Sequence, residues 1–194
     1  FSIHYPNRKH YKNIAYEMIF HSPLRLIMGT GHPFYNNDGN LSATPTWKYI
    51  DSLLWAFAFA KKIDTIKVGE ELYTQHFRWL ATSSLDTLDH FIDHDPEKEK
   101  ILYLAPIFES THYSRSGESK LPYDIEFPSH IPSLQQLTEK ALRFLSKDKD
   151  GFFLMVEGGA IDWAAHDNQL PRLIEETREF LETVAFVKHW LDSS

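Results

Sequence analysis

Gly151-Phe152-Phe153-Leu154-Met155-Val156-Glu157-Gly158-Gly159-Ala160-Ile161-Asp162-Trp163-Ala164-Ala165-His166 is the stretch on which the fold turns. Phe152 to Val156 is an unbroken apolar run, as a strand covered on both faces requires. It ends in a carboxylate, Glu157, and two glycines then let the backbone bend sharply. Asp162 and His166 follow at i and i+4, a spacing that puts both side chains on one helix face, close enough to hold one ion. Carboxylate oxygen with imidazole nitrogen suits zinc, and a lone carboxylate nearby suits magnesium. Spacing alone is a weak signal, because 11 histidines and 27 acids produce such pairs by chance, and Asp86 with His90 is another. Position strengthens the later pair: α/β sheets place ligands beyond the carboxyl ends of buried strands.

Outward from this stretch, strands and helices alternate. Asn7 to Phe20 reads as a helix and Leu24 to Met28 as a buried strand, followed by turns at Gly29 to Pro33 and Asn36 to Asn40. Trp47 to Lys61 is helix-like and apolar nearly all round, so it lies deep or meets another surface. Phe77 to Ala81 reads as a strand. Ser83 to Ile92 reads as a helix capped by Ser83 with Asp86 three residues later, and Leu85, Leu88 and Ile92 share a face. Ile101 to Ile107 is a further apolar strand closed by Pro106, and Ser110 to Pro132 reads as a long surface connection. Ser133 and Gln136 form a capping box for a helix whose stripe is Leu134, Leu137, Ala141 and Leu145. Lys147 to Gly151 is a tight turn. Arg172 to Leu191 is the last helix, with Leu173, Thr177, Phe180, Val184 and Leu191 facing inward. Uniformly apolar strands alternating with helices predict an α/β fold with a mostly parallel sheet.

Composition narrows the function. A hydrophobic content of 42% with 24% charged residues is that of an ordinary globular segment, and 194 residues suffice for one sizeable core. The net charge of -7 argues against nucleic acid as a partner. No apolar stretch approaches the roughly 20 residues of a transmembrane helix. With no cysteine there is no disulfide and no thiol chemistry. The chain lacks an initiator methionine and a signal segment, begins at Phe1-Ser2-Ile3 and stops at Asp192-Ser193-Ser194, as a section of something longer would.

Gly151 through Asp162 with His166 resembles the metal-binding segment of alkaline phosphatases. The flanks are similar too: Pro132-Ser133-Leu134 with Thr138 to Leu142 before it, and Leu170 to Glu176 after it. Pro6-Asn7-Arg8 through Ile14-Ala15, and Gly31-His32-Pro33, also fit, less specifically. The resemblance is strong over Ile131 to Val184 and patchy before it, with about 45–69 resembling a variable insertion in a single partial domain of residues 1–194. It implies a partial α/β/α sandwich, hydrolysis of phosphate monoesters at a site of two zinc ions and one magnesium, and a periplasmic or secreted setting. By that resemblance Glu157 ligates magnesium, while Asp162 and His166 ligate the first zinc. Ala160, Trp163 and Ala164 differ from residues common in some branches, none of them at a ligand position, and Leu181 stands where many members carry an acid.

Other parts of the family's site have no clear counterpart. Asp51-Ser52 imitates the nucleophile, but bulky Leu53, Leu54 and Trp55 follow where the family has small residues, so a capping or helix-surface serine is expected. Thr87-Leu88-Asp89-His90 imitates the second zinc site but precedes Glu157, whereas the family's pair follows it. Asp86, His90 and His94 share a helix face that reads as solvated, with the late histidines at a favourable helix end. The chain alone is therefore expected to be inactive. Its alternative is a non-catalytic α/β module that associates with a partner or, through exposed sheet edges, with a second copy in a homodimer.

Overall fold

The computed structural model describes residues 5–60, 65–68, 70–74, 79–94 and 99–193. These residues form two compact units, Phe1–Phe34 with Ser42–Ala105 and Tyr35–Leu41 with Pro106–Ser194. The architecture is mixed α/β with a parallel sheet, as the alternation of apolar runs and helices implies.

In the first unit the elements are α1 (Tyr11–Phe20), β1 (Leu26–Gly29), α2 (Ser52–Ala60), β2 (Thr65–Val68), β3 (Glu71–Thr74), β4 (Trp79–Thr82), α3 (Leu85–His94) and β5 (Lys100–Leu104). The sheet order is β1-β5-β4, parallel throughout, with Leu26 opposite Ile101 and Trp79 opposite Lys100. All residues of β4 and β5 are buried, which is why neither run alternates in polarity. Leu54, Phe57 and Ala58 of α2 join Tyr16, Ile19, Trp79 and Leu102 in one core. Each large side chain buried there contributes about 1.5–3 kcal/mol. The Trp79 indole N–H donates to Ile19 O at 2.9 Å, so a strand side chain also satisfies a carbonyl in the last turn of α1.

Several boundaries and faces differ from those expected. Helix α2 starts at Ser52 and not at Trp47, because the Asp51 carboxylate caps it by accepting from Leu54 N–H at 2.8 Å. The expected ends of two elements, Lys61 and Phe77, lie outside the described residues. The antiparallel β2–β3 hairpin has no counterpart among the expected elements; only its first strand falls within the 45–69 stretch that resembles an insertion. The cap of α3 is Ser84, whose Oγ accepts from Thr87 N–H at 3.3 Å, whereas the buried Ser83 hydroxyl has no partner.

The second unit holds α4 (Leu134–Leu145), α5 (Ala160–His166) and α6 (Leu170–Ser193), with both shorter helices packed on α6. The capping box is formed: Gln136 N–H donates to Ser133 Oγ at 3.1 Å, and Ser133 N–H to Gln136 Oε1 at 2.9 Å. The buried side of α4 is Thr138, Ala141, Leu142 and Phe144, so of the expected stripe only Ala141 is fully covered. The inward side of α6 is polar: Arg172, Glu175, Glu176 and Thr183 are buried, while Val184 and Leu191 are exposed. The connection 110–132 is likewise not confined to the surface, since Ser110, His112 and Arg115 are buried.

Phe152 to Val156 is not a strand. Among the described residues the second unit contains no strand for it to pair with, only the isolated Tyr35–Leu41 bridge, and an apolar run without a ladder stays irregular. Phe153 is 78% exposed and Met155 66%.

The two serines before α3 predict opposite outcomes in thermal denaturation. Ser84→Ala removes the cap and should cost about 1 kcal/mol. Ser83→Ala removes an unsatisfied buried hydroxyl and should be neutral or stabilising. A larger loss for Ser83→Ala would restore Ser83 as the cap.

Candidate metal centre

Helix α5 begins where Gly158 lets the backbone press against α6. A Cβ on Gly158 would meet Phe180 Cδ2 at 3.0 Å and Ile161 Cδ1 at 3.2 Å, so a side chain there would push the two helices apart. Gly159 occupies the cap without a side-chain bond, and Ala160 and Ala164 turn inward as small buried residues. The opposite side of this two-turn helix carries Asp162 in its first turn and His166 in its last, the charge placement a helix dipole favours.

Asp162 and His166 are brought together as their spacing requires. His166 Nε2 lies 3.4 Å from Asp162 Oδ1, and the side chains are 77% and 73% exposed. Both donor atoms can therefore meet an ion arriving from solvent. Glu157 is also exposed, and its carboxylate folds back beside Gly159, with Oε1 3.5 Å from where a Cβ on that glycine would stand. Among the described residues no three His, Cys, Asp or Glu side chains converge on one point, so Glu157 does not join the Asp162–His166 pair as a third ligand. The donors present fit a partial zinc site, an oxygen and a nitrogen out of the three protein ligands a catalytic zinc usually takes. Glu157 standing apart fits magnesium, which is commonly held by one carboxylate and several waters.

The imitations found elsewhere do not assemble. Ser52 is an exposed first residue of α2, and Asp51 is committed to capping and to accepting from Tyr16 Oη–H at 3.1 Å. His90 and His94 stack with ring centroids 4.4 Å apart, and His94 Nδ1 lies 3.0 Å from the carbonyl of His90.

A buried ionic cluster holds the surroundings of α5 in place. Glu175 is fully buried; its Oε2 accepts from Arg115 Nη2 at 2.9 Å and Arg172 Nη1 at 3.0 Å, and its Oε1 from Tyr123 N–H at 2.7 Å. Glu176 Oε1 accepts from His112 N–H at 3.0 Å and Tyr113 N–H at 2.9 Å. Glu179 accepts from Thr111 Oγ1 at 2.9 Å and Leu134 N–H at 2.7 Å, and its Oε2 lies 3.3 Å from His112 Nε2. Three carboxylates of α6 thus fasten the 110–132 connection. That connection in turn presents Tyr113, whose hydroxyl donates to Asp167, the residue just past His166, and whose ring packs at 5.9 Å on Trp163. The cluster escaped the sequence because its members are far apart in the chain. The available signal was the recurrence of Arg172, Glu175, Glu176 and Glu179 on one side of α6.

The three carboxyls titrate in different directions. Burial pushes Glu175 up, but the Tyr123 N–H and the Arg172 and Arg115 guanidiniums outweigh it and hold the group below the usual range. Glu179 is also lowered, the His112 ring, Leu134 N–H and Thr111 hydroxyl prevailing over burial. Burial prevails in Glu176 and raises it. Glu175 and Glu179 therefore stabilise the fold above about pH 4.3, the ordinary glutamate value, and their contribution is lost as pH falls through their lowered folded values. The Glu176 contribution is full below about pH 4.3 and lost as pH rises through its raised folded value. Glu175→Gln, which leaves two buried guanidiniums without their counter-charge, should cost about 3–5 kcal/mol at pH 7 in urea denaturation. Glu176→Gln keeps an acceptor for both N–H groups and should be at least as stable as the parent at pH 7, approaching parity at pH 4. The reverse ranking of the two variants would contradict this division of charge.

A family profile described as alkaline phosphatase matches residues 7–192. Alkaline phosphatase 3 of Bacillus subtilis (strain 168) is 52% identical over 64 residues, covering 33% of this chain and 14% of that protein. The membrane-bound alkaline phosphatase of Bombyx mori is 44% identical over 78 residues, covering 40% and 13%. The alkaline phosphatase of Gadus morhua is 36% identical over 81 residues, covering 41% and 15%. Each match thus spans a small part of the relative's own length. The profile takes in nearly the whole of the present sequence, and the chain belongs to the alkaline phosphatase family.

Proposed function

We propose that the chain is a segment of a metal-dependent phosphomonoesterase in which Asp162 and His166 hold one zinc ion and Glu157 holds magnesium. The supporting observation is the Asp162 Oδ1 to His166 Nε2 approach of 3.4 Å on a solvent-facing helix. A site of two zinc ions and one magnesium serves phosphate monoesters through Lewis-acid stabilisation of charge on the phosphoryl and leaving-group oxygens. In this chain Asp162 and His166 contribute donors, while Tyr113 and the α6 carboxylates behind it fix the helix that presents them. On this reading the family's nucleophile and remaining zinc ligands have no clear counterpart in the sequence, so the isolated chain is expected to be inactive. Both compact units belong on this reading to one partial domain, with about 45–69 as an insertion. A periplasmic or secreted setting goes with this proposal. Among the described residues no helix is long and apolar enough to cross a membrane.

A second reading, a non-catalytic module that pairs with another copy of itself, is favoured by one observation. The irregular run around Phe152 and Met155 joins no β-ladder among the described residues and leaves large apolar side chains in solvent. Light scattering after size exclusion distinguishes it: a dimer that Met155→Lys dissociates supports self-association, and a concentration-independent monomer discards it.

Titration calorimetry tests the first reading. Zinc should bind weakly, and Asp162→Ala and His166→Ala should each weaken it by about tenfold or more; unchanged binding in both variants removes them as ligands. With zinc and magnesium present the chain should not hydrolyse an aryl phosphate above the buffer rate. Turnover abolished by Asp162→Ala would overturn the inactivity of the isolated chain.

A further inference from the structure

The second unit contains a cavity of about 580 Å³ beside the ionic cluster, whose Arg115 and Arg172 form part of its lining. One wall is the Gly117-Glu118-Ser119 loop and the other is the Asn168-Gln169 turn that joins α5 to α6. The loop is held open by its own geometry: Gly117 has φ +87°, and a Cβ there would strike Ile125 Cδ1 at 2.9 Å. Asn168 is likewise left-handed, at φ +54°, which turns the chain tightly between the helices. Tyr113 lines the same cavity and packs on Trp163 of α5, so the space adjoins the helix that carries Asp162 and His166.

The chemistry of the walls selects a ligand. Glu109 and Glu118 balance Arg115 and Arg172, so the lining favours neither an anion nor a cation by net charge. The arginines are already engaged: both bond Glu175, and Arg115 also donates to Ile125 O and Glu126 O. Their remaining unpaired nitrogens, Arg115 Nε and Arg172 Nη2, are buried and do not form an open anion cradle. The side chains of Glu118, Asn168 and Gln169, by contrast, are exposed and have no side-chain partner among the described residues. Two amides, each donor and acceptor, lining one cavity with a carboxylate acceptor match adjacent hydroxyls, which also donate and accept at one atom. Tyr113 adds an aromatic wall for C–H faces. The volume is that of a small-molecule site.

We propose that this cavity binds a neutral polyhydroxylated group, of the class of a sugar or a cyclitol, through Glu118, Asn168 and Gln169. The proposal deepens the phosphomonoesterase reading and rests on it for one step only: the bound polyol would be the alcohol portion of a phosphate ester whose phosphate faces α5.

Chemical-shift titrations of the full chain with myo-inositol, glucose and inorganic phosphate, each without added metal, test it. Saturable shifts with a polyol at Asn168, Gln169 and Gly117 are expected, weakened about three- to tenfold by Asn168→Gly, which keeps the left-handed turn, and again by Gln169→Leu, both surface substitutions that leave the thermal transition in place. Asp162→Ala should weaken zinc binding by about tenfold or more and leave the polyol titration unchanged, so the metal reading and the cavity reading fail separately. Absence of saturable polyol binding, polyol binding indifferent to both amide variants, or inorganic phosphate occupying the same residues more tightly would each overturn the proposal.

Discussion

A single buried carboxylate, Glu175, sets the terms for the second unit. Two guanidiniums and a backbone N–H converge on it, and none of these groups could stay buried without the others. The consequence runs outward along the chain. With Glu175, Glu176 and Glu179 engaged, the 110–132 connection is fastened to α6; Tyr113 is then fixed, and its hydroxyl holds Asp167 at the end of α5. The orientation of Asp162 and His166 is a product of this chain of contacts as much as of their own spacing.

Local features were legible in the residues. The Ser133–Gln136 box formed as written because both partners lie within one turn, and the three parallel strands were apparent as uniformly apolar runs. The Asp162–His166 approach follows from the helical period alone. Non-local features were not legible. The periodicity of α6 predicts its apolar residues inward, but its carboxylates find partners at His112, Thr111 and Arg115, more than 55 residues away, and take the buried side. The α3 cap moved from Ser83 to Ser84 because two adjacent serines satisfy nearly the same pattern, and only the backbone path decides which one faces Thr87. The Phe152 to Val156 run illustrates a further limit: apolarity states that a segment is to be covered and does not name the strand that covers it.

Around α5 the family's chemistry is divided between what this chain holds and what it lacks. It holds a solvent-facing oxygen and nitrogen donor, a separate carboxylate at the helix N-terminus, and a rigid polar base beneath them. The Thr87 to His90 imitation stays on a helix whose histidines stack on each other. On the proposed reading, an incomplete donor set on a well-supported helix separates weak metal binding from catalysis.

On the proposed reading, α5 presents its pair to a divalent ion ahead of the other histidines among the described residues. Nitrogen-detected NMR of the imidazoles during zinc addition examines it directly. The Nε2 resonance of His166 should move first and lose that response in Asp162→Ala. Zinc that perturbs His90 and His94 while leaving His166 untouched would contradict the claim.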